Sequence, residues 1–347
     1  MYLTEKEIFS QYAALRQTYA YILTRAQELK DLYQSHRPRS LTFIGCGSGF
    51  CLCQSGATSA QMRLGVAANA LAAGDLLINF RHYRGMLQEG MIIAPSRSGG
   101  TSEVVLAVEK AKELGIPVIA ISAKAASPLS ELADLTLEIP WAFDESVCQT
   151  RTVTNLYTAD LMLIAILAQD DSLLAEIDAA ITAGPAFMER YTPVAQEIAQ
   201  GDFDHVVILA DSELDGIASE AAIAFMEIPQ VQANYFHVLD VRHGPMVLIG
   251  EKTLVIAALS PEEGDLQRDL IRDLKGKGAK VAVVSRKGTS WGADWEVELP
   301  EYEHFAVAGI PFIFLPQSIG FYKALHKGLN PDLPAGLSAM IDLSRES

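Results

Sequence analysis

The chain has 347 residues, half of them apolar and a fifth charged, the balance of a globular protein long enough for two domains of ordinary size. Its 43 acidic residues outweigh 27 basic ones, for a formal charge of −16. Nucleic-acid and membrane phosphates repel such a chain, which argues against both as partners; any anion it binds needs a local device.

The N-terminal stretch MYLTEKEIFSQ carries acids and no long apolar run, so it does not read as a signal peptide. Thr4 and Glu7 have the spacing of a capping box. Ile8, Tyr12, Leu15, Tyr19, Ile22, Ala26 and Leu29 then recur every three or four residues. The spacing predicts a long N-terminal helix whose single apolar stripe packs against a partner domain or subunit.

From residue 41 the pattern changes to short apolar runs, LTFIG, MIIAPS, PVIAIS and LTLEIP, separated by helical stretches. That is the pattern of buried parallel strands in an α/β domain. The march repeats roughly 160 residues later as HVVILA, TLVIAAL, KVAVVS and WEVELP. The best internal match pairs MIIAPSRSGGTSEVVLAVEKAKELGIPVIAIS with LVIAALSPEEGDLQRDLIRDLKGKGAKVAVVS. The expectation is a tandem duplication of one doubly wound α/β domain, a parallel sheet flanked by helices in each copy. The N-terminal helix and first domain would span 1–185, and the second domain with the C-terminal tail 186–347.

Cys46, Cys51, Cys53 and Cys148 do not make a disulfide framework in a chain of this length, and they are expected reduced in a cytoplasm. Cys51 and Cys53 form C-x-C, but no second ligand pair follows, so no metal site is expected. The longest apolar stretch, FAVAGIPFIFLPQSIGFYKAL, is interrupted by Pro311, Pro316, Gln317 and Ser318 and reads as a buried helix rather than a membrane span.

The loop after MIIAP concentrates Ser96, Ser98 and Thr101 around Gly99 and Gly100, directly before a helical pattern. In an open α/β sheet, ligands collect outside the carboxyl ends of the strands. A helix that starts there offers free amides and the positive end of its dipole. Glycines let the backbone close on an anion, and hydroxyls donate to it. Arg97 adds charge or points to solvent. The second copy has Leu-Ser-Pro-Glu-Glu-Gly at this place, so the residues that suit an anion belong to the first copy alone. The competing reading is a plain Ser/Thr helix cap. The loop lacks the lysine of a Walker motif, and FIGCGSGF has Leu52 where a dinucleotide fingerprint needs its third glycine. Ser48, in that second glycine-rich turn, can reach the same ligand.

SRSGGT resembles the S-x-S-G-x-T phosphate loop of sugar isomerase (SIS) domains, and GCGSGF their first glycine turn. ESVCQTRTVTN, SEAAIAFMEI, DVRHGP and HKGLNPDLPAGLS are similar to later family segments, in order. The pattern resembles the tandem-SIS isomerase half of glucosamine-6-phosphate synthase, together with ketosamine-phosphate deglycases and amino-sugar-phosphate isomerase/deaminases. The resemblance implies that Ser96, Arg97, Ser98 and Thr101 hold a sugar phosphate, with Ser48 near the same site and Val147 and Gln149 bordering the sugar. It implies Glu227 as the base shuttling a proton between C1 and C2, and His243 as the ring-opening group, commonly supplied by the other subunit of a homodimer. No cofactor is implied.

Physical chemistry suits these roles. Aldose–ketose interconversion needs a carboxylate that removes and returns a proton beside a carbonyl, and Glu227 lies in a nearly uncharged stretch where burial raises its pKa. A histidine titrates near neutrality. Glu220 falls on roughly the same helix face as Glu227. Two departures stand out: Ala224 and Ala339 occupy places where the synthase has lysines. With no glutaminase segment preceding, glutamine-dependent amination is not expected. The expected function is a phosphosugar isomerase/deaminase or deglycase for an amino-sugar or ketosamine 6-phosphate. The alternative is a non-catalytic sugar-phosphate-binding regulatory protein.

Overall fold

The computed structural model describes residues 1–338 and 342–343. Two helices, α1 (Leu3–Thr24) and α2 (Ala26–His36), precede the first sheet. Then come β1 (Ser40–Gly45), α3 (Ser48–Leu64), β2 (Ala67–Ala72), α4 (Ala73–Ile78), α5 (Phe80–Leu87), β3 (Gly90–Ser96), α6 (Ser102–Glu113), β4 (Val118–Ser122), α7 (Pro128–Leu132) and β5 (Leu135–Glu138). Helices α8 (Arg151–Ala168) and α9 (Asp171–Ala199) lead to the second sheet. It is built from β6 (His205–Leu209), α10 (Asp215–Glu227), β7 (Gln232–Phe236), β8 (Thr253–Ala258), α11 (Gly264–Gly276), β9 (Lys280–Arg286) and β10 (Trp295–Leu299), and α12 (Gly309–Phe312) and α13 (Phe314–His326) follow it.

The first sheet has the order β2-β1-β3-β4-β5 and the second β10-β9-β8-β6-β7, so each strand of one has a counterpart in the other. Neighbouring strands are parallel throughout, with Phe43 opposite Ile93 in the first sheet and Ile208 opposite Ile256 in the second. The duplication read from the sequence is therefore a duplication of topology, and the fold consists of two α/β units with matching strand order. Strands β3, β4 and β8 are buried along their whole length, which is why they read as unbroken apolar runs.

The capping box expected of Thr4 and Glu7 does not form. Helix α1 starts at Leu3, and Asp332 from the far end of the chain serves its free amides. Its carboxylate accepts from the Leu3 amide at 2.9 Å, and from the Thr4 amide and hydroxyl at 2.8 Å each. An acid at the positive end of the helix dipole does the work a local cap would do. The apolar stripe, split between two helices at Arg25, also finds its partner within the chain: α1 packs on α8, α9 and α13 with Ile8, Leu15 and Ile22 fully buried, and α2 packs on α8 with Leu29 fully buried.

One core runs across both halves, from Phe43 and Ile93 through α8 to Phe225, Ile256 and Phe314. The boundary expected at 185 falls inside α9, which continues through Pro185 and Pro193. Phe305–His326 is apolar enough to cross a membrane by length and composition, yet 89% of its most apolar window is buried in the protein. Helices α3 and α10, one from each half, pack directly on each other. Gly216 permits that approach, since a Cβ there would lie 2.0 Å from the carbonyl oxygen of Cys51.

Candidate active site

In the order β2-β1-β3-β4-β5 the chain changes direction between β1 and β3, and the crevice beyond their carboxyl ends is the expected ligand position. Ser96 ends β3 and Thr101 precedes α6. The loop between them is tight. The Gly99 amide donates to the Ser96 hydroxyl at 3.0 Å, and the Gly100 amide to the Ser98 hydroxyl at 3.2 Å. Gly99 has a φ of +57°, and a Cβ there would strike the Ser127 side chain, so only glycine fits. Thr101 makes no side-chain cap to α6, so the plain-cap reading of this loop does not hold. A cavity of about 40 Å³ opens here, lined by Cys46, Gly49, Ser96, Arg97, Ser98, Thr101 and Gln149 among others. Larger hollows lie elsewhere, about 830 Å³ beside Arg37, Arg39 and Arg84 and about 370 Å³ beside α9, but no serine or threonine lines either.

Arg97 is buried rather than solvent-facing. Its Nη1 donates to the carbonyls of Ser146 at 3.1 Å and Val147 at 2.9 Å, tying the phosphate-type loop to residues 144–150. Two further groups hold that segment. The Glu7 carboxylate accepts from the amides of Glu145 at 2.7 Å and Ser146 at 3.1 Å, and from the Ser146 hydroxyl. The Val147 amide donates to the Asp332 carbonyl at 3.4 Å. Inside the segment, Asp144 Oδ2 accepts from the amides of Thr150 at 2.7 Å and Thr152 at 2.8 Å. Burial, reinforced by Glu7, pushes the Asp144 carboxyl up to about 7.

The second half supplies the carboxylates. Glu220 and Glu227 stand two turns apart on α10, the helix packed on α3. Burial raises the Glu227 carboxyl, opposed by a hydrogen bond from the Cys148 thiol and by the charge of Arg97. Burial raises Glu220 further, with the charge of Glu227 adding to it and a hydrogen bond from Ser48 opposing it. One Glu220 oxygen, Oε2, is buried without a hydrogen-bond partner. The arrangement sets the buried guanidinium of an anion-suited loop within electrostatic reach of Glu227, with Glu220 a second carboxylate of raised proton affinity on the same helix. Such a set can bind a phosphorylated molecule and move a proton on it.

Ser96, Arg97, Ser98, Thr101 and Gln149 share the cavity, and Arg97 links it through Val147 and Cys148 to Glu227. Ser48 bonds Glu220 and does not line the cavity. His243 stands apart. It is exposed in the connection between β7 and β8; its backbone amide donates to the Asp240 carbonyl at 2.8 Å, and its side chain makes no hydrogen bond or ion pair among the described residues. Ala224 packs with Cys148 and Ile228, while Ala339 lies outside the described residues. Sequence reasoning passed over Cys148, Glu7, Asp144 and Asp332. The one available signal was the match of ESVCQTR to a family segment, which already placed Cys148 between Val147 and Gln149.

Residues 34–169 match the SIS domain family. The glutamine–fructose-6-phosphate aminotransferase (isomerizing) of Oceanobacillus iheyensis is 28% identical over 269 residues, covering 73% of this chain and 44% of that protein. The chain spans about half the length of the curated relatives it matches, between 44% and 58% of the first of them. Among solved structures, glucosamine-6-phosphate deaminase from Thermotoga maritima aligns with a TM-score of 0.84 at 23% identity, covering 98% of this chain and 99% of that one. Tagatose-6-phosphate ketose/aldose isomerase from Escherichia coli aligns with a TM-score of 0.86 at 21% identity, covering 98% and 95%. These two likenesses establish the fold. The family match covers the first sheet, and the second half repeats its strand order.

Proposed function

We propose that this chain is a phosphosugar isomerase/deaminase or deglycase acting on an amino-sugar or ketosamine 6-phosphate. The observation that carries the reading is the buried Arg97 in the hydroxyl-lined cavity after β3, near enough for its charge to act on the Glu227 carboxylate of α10. The phosphate sits among Ser96, Ser98, Thr101 and the amino end of α6, where amides, hydroxyls and dipole favour a dianion. Val147 and Gln149 border the sugar. Glu227 removes a proton beside the carbonyl of the opened sugar and returns it to the neighbouring carbon, through an enediol or enolamine. Its raised proton affinity brings it toward the working range of a general base, and the transfer needs no cofactor.

His243 opens the ring from a second copy of the chain. Its exposure supports this, as does its neighbourhood, where Val247 is 81% and Leu248 62% exposed. Apolar side chains left open beside an unpartnered histidine suit a homodimer surface. The relatives named for isomerising or deaminating phosphosugars support the substrate class.

The test is a thermal-shift and turnover screen with phosphorylated and unphosphorylated hexoses, amino sugars and ketosamines. Stabilisation by 6-phosphates with release of ammonia, an amino acid or an isomer supports the reading and names its branch. Stabilisation without product favours a sugar-phosphate-binding regulator. Indifference to every phosphate overturns the assignment of the loop.

A further inference from the structure

Glu227 has an unusual neighbour for a general base. Cys148 is 1% exposed and packs against Ala224, one turn before Glu227 on α10, and Ile228, the residue directly after the helix ends. That packing sets its thiol beside the Glu227 carboxylate, whose charge acts with burial to raise the thiol's pKa. The backbone that presents it is over-determined. The two carbonyls preceding Cys148 are held by Arg97. Glu7 holds the amides of 145 and 146, and Asp144 the amide of Thr150. A segment held by α1, by the loop after β3 and by its own Asp144 gives the side chain a defined position, not a packing gap.

We propose that Cys148 is a positioning residue for Glu227, holding the carboxylate toward the crevice with a neutral thiol donor. This rests on the reading of Glu227 as the base. The chemistry favours a thiol for this task. A lysine at the Ala224 position would neutralise the carboxylate and weaken it as a base, whereas S–H is a weak donor that fixes direction and leaves most of the basicity in place. The charged and titratable groups facing Glu227 are Arg97 from the loop after β3, Cys148 from the 144–150 segment and Glu220 from α10 itself.

The primary test does not depend on turnover. Infrared difference spectra of the full chain, wild type against Glu227→Gln, isolate the Glu227 carboxyl; wild type against Cys148→Ser isolates the Cys148 S–H stretch. The S–H band is expected to shift when Glu227 becomes Gln. The Glu227 carboxyl is expected to titrate about half a pH unit higher in Cys148→Ala, and to return toward wild type in Cys148→Ser, which keeps a donor. In the turnover assay, Cys148→Ala moves the acid limb of kcat/KM upward by the same amount and leaves KM within about twofold. An S–H band blind to Glu227→Gln, or superimposable Glu227 titrations in wild type and Cys148→Ala, overturns the proposal. A moved titration with no substrate turned over would retain the contact and remove the catalytic reading of Glu227 instead.

Discussion

The two halves share one topology and differ where the third strand of each sheet meets its helix. In the first half the loop holds three hydroxyls, two glycines and a buried arginine, and it opens on a cavity. In the second half the same place reads Leu259-Ser260-Pro261-Glu262-Glu263-Gly264. There the Glu262 amide donates to the Ser260 hydroxyl at 3.1 Å, and Gln267 Nε2 donates to the Ser260 carbonyl at 3.1 Å. Asp265 lies in the first turn of α11 just beyond Glu262 and Glu263. Each helix has one acid in its first turn, Glu103 in α6 and Asp265 in α11. The loop before α11 adds Glu262 and Glu263 where the loop before α6 has hydroxyls, so only the first loop suits an anion. What the second half contributes is α10, which packs on α3 and brings the Glu227 carboxylate within electrostatic reach of Arg97. Duplication kept the scaffold and divided the chemistry.

The largest effect that can break this division is on turnover. Glu227→Gln is expected to lower kcat by about 10²–10⁴-fold, the range for losing a positioned general base, while phosphosugar affinity stays within about twofold. Steady-state kinetics beside calorimetry separate the two. Next is the contact that joins the halves. Gly216→Ala drives a methyl into the Cys51 carbonyl and should cost roughly 1–3 kcal/mol or more of stability, read as a lower denaturation midpoint with reduced activity.

Thr101→Val removes one donor to the phosphate and should weaken phosphosugar binding about ten- to a hundredfold without altering the fold. Ser260→Ala, its counterpart control, should change affinity by less than about twofold. A subtler effect concerns Asp144. Its folded-state pKa of about 7 lies above its ordinary value of 3.8, so the folded state holds a proton the unfolded state has released. The stability this gives is fully present below pH 3.8 and is lost as pH rises through about 7. Asp144→Asn, a mimic of the protonated form, should gain on the wild type in melting temperature between pH 5 and pH 8, by about a few degrees.

Much of this comparison was legible in the sequence, because buried parallel strands and glycine–hydroxyl loops are written locally. Strands β2 and β7 were not. Both are edge strands, half-exposed, and their AANALA and QANYF lack the unbroken apolar run that marks the central ones. Ser96, Ser98 and Thr101 declared themselves by type and spacing. Glu7 misled, since its spacing from Thr4 fits a cap, yet its partners lie about 140 residues away at Glu145 and Ser146. Arg97 could not be placed from sequence either, because only the folded chain brings the carbonyls of Ser146 and Val147 beside it.

The most direct test of the division is calorimetric titration of an amino-sugar 6-phosphate and its unphosphorylated parent into Glu227→Gln protein, alone and combined with Thr101→Val or Ser260→Ala. The account predicts binding of the phosphate ester only, weakened about ten- to a hundredfold by Thr101→Val and untouched by Ser260→Ala. Equal binding of both sugars, or equal loss from the two loop variants, would contradict it.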